Sequence, residues 1–318
     1  MSNINLSRGG VAVVIPIYNA QEYLSDCLNS ILAQTYPNWI AYCVDDGSTD
    51  LTPSILDSFA EKDNRIKVFH TPNRGVARAR NFALSQIKNE KWISFVDSDD
   101  YIAPSMYETI VNAIGDNEVD YVRLFCTHTS LRYDAERFDK SITQTVKARF
   151  VTQKDYFLKE KVGGYTHSLF FNRNLLITYR LIFPTTMKIL EDQAFSISCA
   201  SVADRFMILE EPRNYFYFSN NVNSITRRIR DRRNDIIQCL NIVYCQLSQR
   251  CPSEIMHNYF YAKYLPSKLD SLYTQQMRYC GKALTVKLDS RIKVRFHKLP
   301  LKIKVKLFFV KLMNLMHI

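Results

Sequence analysis

The sequence predicts an α/β fold: a mostly parallel sheet with helices on both faces, followed by a helical C-terminal extension. Three observations carry this. Over roughly the first 125 residues, apolar runs of strand length alternate with segments of helical spacing, the pattern of βαβ units. Two acidic clusters, Asp45-Asp46-Gly47-Ser48-Thr49-Asp50 and Asp97-Ser98-Asp99-Asp100, stand at the ends of apolar runs, where open α/β sheets hold their ligands. From about Arg230 to Gly281 the spacing turns helical.

Val11 to Ile17 reads as the first strand, and Asn19 then opens a helix with Leu24, Cys27, Leu28, Ile31 and Leu32 on one face. Trp39 to Val44 is the second strand. Thr52-Pro53 reads as an N-cap followed by proline at N1, starting a helix that turns Ile55, Leu56 and Phe59 inward. Ile66 to Phe69 is a short strand, Gly75 to Ile87 a helix, and Trp92 to Val96 a buried strand. Pro104 starts a helix with Tyr107, Ile110, Val111 and Ile114 on its apolar side, and Tyr121 to Phe125 is a further strand. Residues 127–150 lose periodicity and read as a surface excursion. A helix is expected over Glu191 to Ala203, with strands near Phe206 to Leu209 and Tyr215 to Phe218. Ile236, Ile237, Leu240, Val243, Tyr244 and Leu247 follow helical spacing in the extension.

The chain has 318 residues, 47% of them hydrophobic and 23% charged, enough for a sizeable core and unlike a disordered chain. Its eight cysteines form no Cys-x-x-Cys pair and lie mostly in apolar runs, which reads as buried, reduced thiols. Met1 to Gly10 is polar, and no stretch reaches the ~18 uncharged apolar residues of a membrane span. A cytoplasmic location is the expectation. Of the formal charge of +11, residues 287–318 carry +8, from nine Lys and Arg against one Asp. A nucleic-acid-coating protein spreads its charge more widely, and no nucleic-acid partner is expected.

Glycines occur only at positions 9, 10, 47, 75, 115, 163, 164 and 281. Neither a Gly-x-Gly-x-x-Gly fingerprint nor a phosphate-binding P-loop fits these positions, which disfavours dinucleotide dehydrogenases and P-loop kinases. The carboxylates of Asp97, Asp99 and Asp100 crowd within four residues. Their repulsion calls for a cation, and hard oxygen ligands suit Mg²⁺ or Mn²⁺, which also grip a diphosphate.

Six segments, in order, resemble the family-2 glycosyltransferases: Val14-Ile15-Pro16-Ile17-Tyr18-Asn19, Ile31 to Tyr36, Val44 to Asp50, Asn73 to Asn81, Phe95 to Asp100, and Leu190 to Phe195. The resemblance covers roughly residues 10 to 200 and is closest to bacterial enzymes that build capsule, lipopolysaccharide or exopolysaccharide. It implies a GT-A catalytic domain over residues 1–220, a helical extension over 221–286 and a basic amphipathic tail over 287–318. It further implies an inverting, Mn²⁺- or Mg²⁺-dependent transfer from a nucleotide-sugar, expected to be a UDP-sugar, to a hydroxyl of a growing glycan or lipid-linked oligosaccharide. Asp97 and Asp99 match the metal-binding Asp-x-Asp, with Ser98 between them. Pro16, Tyr18, Asp46 and Arg80 match nucleotide-binding positions. Glu191 and Asp192 match the acidic pair at the acceptor-side helix, Asp192 as the base; the family often places glycine just before this pair, where this chain has Leu190. Tyr165, His167 and Arg173 lie where the family shapes its acceptor pocket.

Two rivals are a nucleotidyltransferase that makes the activated sugar and a non-catalytic binding protein with a degenerate transferase domain. Against the first, Pro16-Ile17-Tyr18-Asn19-Ala20 has neither the glycines nor the basic residue of a nucleotidyltransferase loop. Against the second, the acidic motif and the base are intact. In the tail, Leu301-Lys302-Ile303-Lys304-Val305-Lys306 alternates basic and apolar residues, as suits docking on an anionic inner membrane surface. Packing on the catalytic domain or on a homodimer partner is the alternative.

Overall fold

A computed structural model describes residues 9–138, 145–160, 162, 165–221, 231–278, 287–292, 301 and 303–304. One half of its central sheet is parallel: β3 (Ile66–Thr71), β2 (Trp39–Asp46), β1 (Val11–Ile17) and β4 (Trp92–Phe95) lie side by side in that order. β1 is buried along its whole length, as a strand covered on both faces must be. Val11, Val13, Ile15 and Ile17 pack with α1 (Leu24–Leu32), α2 (Thr52–Lys62) and α4 (Met106–Ile114). Ala12 and Val14 face the opposite core with α3 (Val76–Gln86), α5 (Gln153–Lys159) and α7 (Glu191–Ala200). Pairing of Pro16 with Val44 and of Ile17 with Asp45 brings the loops after β1 and β2 level with each other.

The other half is mixed. β9 (Leu169–Asn172) runs antiparallel between β4 and β6 (Tyr121–Leu124), β10 (Arg205–Glu211) is parallel to β6, and β8 (Lys147–Thr152) closes the edge antiparallel. Four of the seven strand pairings in this eight-stranded sheet are parallel. A three-stranded sheet of β5 (Tyr101–Ile102), β11 (Tyr215–Phe218) and β7 (Cys126–Thr129) brings Tyr215 and Phe218 onto the Asp97–Asp100 turn.

The extension comprises α8 (Arg233–Arg250), α9 (Ser253–Ile255), a π-helical segment Met256–Tyr264 and α10 (Leu265–Arg278). Its Ile236, Cys239, Leu240, Val243, Phe260 and Leu265 share one core with Phe95, Phe171 and Phe195. The expected boundary at residue 220 adjoins 222–230, outside the described residues. Ile292 and Ile303 join this core, and Asn241 on α8 donates to the carbonyl of Lys287 at 2.9 Å and accepts from the amide of Asp289 at 2.8 Å. The start of the basic tail therefore packs on α8; most of the proposed membrane segment lies outside the described residues. Seven cysteines are free thiols, and Cys280 is outside the described residues.

Three local expectations are corrected. The first helix begins at Leu24, not Asn19; Asn19 adopts φ 48°, and its side chain accepts from the Thr49 amide at 2.8 Å, tying one loop to the next. Thr52 does not cap α2 with its hydroxyl, which accepts from the Ala20 amide at 2.8 Å; Asp50 takes the Thr52 amide at 3.0 Å instead. The stretch 127–150 contributes β7 and β8 at its two ends, because strand partners far away in sequence override its weak local pattern.

Candidate active site

The Asp97–Asp100 turn is built where β4 ends, with the amide of Asp100 bonded back to the carbonyl of Asp97 at 3.0 Å. Its carboxylates diverge. Asp100 is buried, accepting from the Tyr215 hydroxyl at 2.7 Å and the Phe218 amide at 2.8 Å. Asp99 accepts from Asn221 at 2.7 Å, and Ser98 is half-buried between. Asp97 takes the Arg80 guanidinium at 3.0 Å and lies 3.6 Å from His167 Nδ1.

Charge follows this geometry. Burial pushes Asp99 and Asp100 up, with the neighbouring carboxylates adding to it. Burial opposes the charge of Asp97 as well, yet His167 and Arg80 hold its carboxyl well below the usual range. Burial disfavours the His167 cation, but Asp97, Cys126 and Asp100 outweigh it and hold the imidazole at about 10. The side chain is 2% exposed, and neither ring nitrogen has a hydrogen-bond partner. Its ring stacks at 4.7 Å on Tyr215 and at 5.2 Å on Tyr165.

Asp97, Asp100 and His167 present ligand atoms all within 4.8 Å of one another. Two carboxylate oxygens and an orphaned imidazole nitrogen fit a divalent cation, which the imidazole binds in its neutral form. The metal pair expected from the sequence was Asp97 and Asp99. The structure gathers Asp97 with Asp100 and His167 and turns Asp99 toward Asn221. No short-range pattern identifies His167, because it lies about 70 residues away and reaches the cluster on the turn that precedes β9.

Arg80 joins this turn to the start of α7. It is 5% exposed on α3, bonded through Nη2 to Asp97 at 3.0 Å and through Nη1 to Glu191 at 2.9 Å. Glu191 and Asp192 open α7, where carboxylates favour the helix dipole. Burial, then the charge of Asp192, push Glu191 up to about 7 against the pull of Arg80. Asp192 is half-buried, bonded to the Gln193 amide at 2.7 Å, and raised by burial against the same pull. Leu190, before this pair, stands at φ 66°, ψ 6°. A side chain there costs roughly 1 kcal/mol or more, which is the physical reason a glycine suits the position.

The residues expected from the sequence to meet the nucleotide lie at the ends of β1 and β2. Tyr18 is 48% exposed, its ring open for stacking, and Pro16 is buried in β1. Asp46 spends its oxygens on the backbone, accepting from Arg74 N at 2.8 Å and Gly75 N at 2.7 Å, so it shapes the loop before α3. Asp45 takes the Ser48 amide and His70 Nδ1, each at 2.9 Å. The second acidic cluster is thus largely engaged in holding loops. Tyr165 is 60% exposed beside His167. Arg173 lies elsewhere: its amide donates to the carbonyl of Lys91, ahead of β4, so it is outside the cluster that holds Tyr165 and His167.

The chain is 31% identical over 225 residues to EpsH of Bacillus subtilis, an alignment covering 69% of this chain and 63% of EpsH. Against EpsJ of the same organism it is 27% identical over 219 residues, covering 68% and 62%. The chain thus spans under two-thirds of the length of these relatives. Among solved structures, S. aureus TarS in complex with UDP-GlcNAc superposes with TM-score 0.70 at 21% identity, over 93% of this chain and 83% of that one. The mannosyltransferase PcManGT from Pyrobaculum calidifontis, in complex with GDP-Man and Mn²⁺, gives 0.57 at 20% identity, over 97% and 87%. These likenesses show the fold, which is the GT-A type. The model of "Glycosyl transferase family 2" matches residues 12–179, and the chain belongs to that family.

Proposed function

We propose that this protein is an inverting, divalent-cation-dependent glycosyltransferase that moves a sugar from a nucleotide-sugar to a hydroxyl of a bacterial surface glycan. The observation that carries the reading is the Arg80 tie: one buried guanidinium joins Asp97, at the cation cluster, to Glu191, beside the base. A donor clamp and an acceptor base held by one rigid group suit a single in-line displacement, which needs both fixed at once. A UDP-sugar is the donor we favour; the similar TarS binds UDP-GlcNAc, whereas PcManGT binds GDP-Man. Mn²⁺ or Mg²⁺ is the cation proposed for Asp97, with Asp100 and His167 or with Asp99 completing the set.

Tyr18 stacks the nucleobase, and Asp46 fixes the Arg74–Gly75 loop beside it. The cation, when bound, neutralises the departing diphosphate. Asp192 takes the acceptor's proton. Its raised pKa makes it a better base than an ordinary aspartate. Glu191, pinned by Arg80, fixes the first turn of α7 and so the direction of Asp192.

The test is Asp192→Asn, which keeps the shape and removes the basicity. Transfer should fall by about 10²-fold or more, while UDP affinity in the presence of Mn²⁺, read by calorimetry, stays within about twofold. Collapse of UDP affinity with surviving transfer makes Asp192 a donor ligand and ends this reading. Loss of transfer in EDTA, restored by Mn²⁺ or Mg²⁺, checks the cation.

A further inference from the structure

The base-bearing turn is held by the helical extension. Leu190 carries a left-handed backbone directly before Glu191 and Asp192, and four contacts from the extension converge on the turn around it. The carboxylate of Asp235 accepts from the amide of Lys188 at 2.9 Å. Gln238 accepts from the hydroxyl of Thr186 at 2.7 Å. Cys239 Sγ lies 3.8 Å from the carbonyl of Leu190 and 3.0 Å from the hydroxyl of Tyr264. That hydroxyl donates to Gln193 Oε1 at 3.3 Å, and the amide of Gln193 is the one bonded to Asp192. Tyr264 closes the π-helical segment, a rare winding that occurs frequently at functional sites. The Leu190 side chain packs against the core that Cys239, Leu240 and Leu265 help to build.

We propose that the extension is a working part of the acceptor side, with Tyr264 and Cys239 as positioning residues that hold Leu190 left-handed and so aim Asp192. A glycine at 190 would adopt this backbone unaided; with leucine there, the contacts from α8 and the π-helical segment do the holding. The inference rests on Asp192 being the base.

The experiment is a rescue. Tyr264→Phe keeps the ring and removes only the hydroxyl. It should lower kcat of acceptor transfer about fivefold, the rate equivalent of the strain it releases, with donor KM unchanged. Gln193→Leu breaks the same hydrogen bond from the other side and should reproduce the loss. Leu190→Gly alone should keep transfer within about threefold. In that background Tyr264→Phe should cost less than twofold, since no strain remains to be held. The inference is overturned if Tyr264→Phe leaves kcat at the wild-type value, if the loss is equal in both backgrounds, or if Leu190→Gly alone abolishes transfer. Asp192→Asn serves as the control: if it retains transfer, the assignment of the base has failed, whereas an inactive Asp192→Asn beside a fully active Tyr264→Phe defeats only the positioning role.

Discussion

Arg80 is the residue on which the site's electrostatics turn. It is almost wholly buried between two carboxylates, and removing one member of a buried ionic group leaves the others uncompensated. Arg80→Met is expected to destabilise the fold by about 2–4 kcal/mol, somewhat less than a fully dry site would give, because the Asp97 side chain is 30% exposed. Adding Glu191→Gln should recover part of that loss in urea denaturation; an additive double mutant means the two groups do not interact. Glu191 also predicts a pH effect. Its carboxyl rises from an ordinary 4.5 to about 7, burial first and Asp192 second. The folded protein therefore holds this proton more tightly than the unfolded chain, and stability falls as pH rises from about 4.5 to 7. Asp97 is shifted the other way, so its contribution is lost only as pH falls below the ordinary aspartate range. Glu191→Gln should lessen the slope over pH 4.5–7 in cation-free protein without abolishing it, because Asp99, Asp100 and Asp192 are raised as well; an unchanged slope removes Glu191 as a contributor. Arg80, Asp97, Glu191 and Asp192 were legible in the sequence because each sits inside a short motif. His167 was expected on the acceptor side, and its place beside Asp97 was not legible, since that relation exists only once β9 lies beside β4.

At the scale of elements, the two glycine turns after β2 and before α3 divide the cost of a side chain differently. Gly47 stands at φ 72°, and a Cβ there would meet the backbone nitrogen of Asn73 at 2.7 Å. Gly75 stands at φ 93° with nothing within 4 Å. Gly75→Ala therefore costs only backbone strain, about 1–3 kcal/mol, whereas Gly47→Ala also forces the loop after β2 away from the loop before α3. Thermal melts should rank Gly47→Ala below Gly75→Ala, with UDP binding lost more completely in the former; the reverse order contradicts this account of the loops. Strands β1, β2 and β4 could be read from their apolar runs because both of their faces are covered. β9 could not: four residues, Leu169 to Asn172, give no period to read. The start of α1 was misplaced because Asn19, a plausible helix opener, is used to lace two loops together.

For the whole molecule, the charge is the property that reaches beyond the site. Most of the net +11 sits after residue 286, while Ile292 and Ile303 are buried in the main core. The tail is thus anchored to the body at some points, and we propose that its basic residues face an anionic membrane surface. Among the described residues no helix is long and apolar enough to cross a membrane. Binding to anionic vesicles should be measurable at about 0.01 M salt and largely lost at 0.15 M, as the screening length falls from about 30 to 8 Å. Replacing Lys302, Lys304 and Lys306 by Gln should weaken it; vesicle binding indifferent to salt and to these replacements refutes the proposal. The βαβ half of the fold and the presence of the extension followed from the sequence. The single core linking that extension to α7 did not, because helical spacing shows that a face is apolar but not which partner it meets.

The central placement of β9 has a consequence for synthesis. β4 is complete at Phe95, but its second neighbour ends only at Asn172. At ribosomal rates of about 5–20 residues per second, that edge waits about 4–15 seconds for its partner. Trp92-Ile93-Ser94-Phe95 is apolar, strand-forming and open during this interval, the kind of edge that pairs with other chains. Charge flanks it on both sides: Lys88, Glu90 and Lys91 before it, Asp97, Asp99 and Asp100 after it. Such flanking charges discourage intermolecular strand pairing. On this ground, neutralising Asp97, Asp99 and Asp100 together is expected to lower the yield of soluble protein before any activity could be measured.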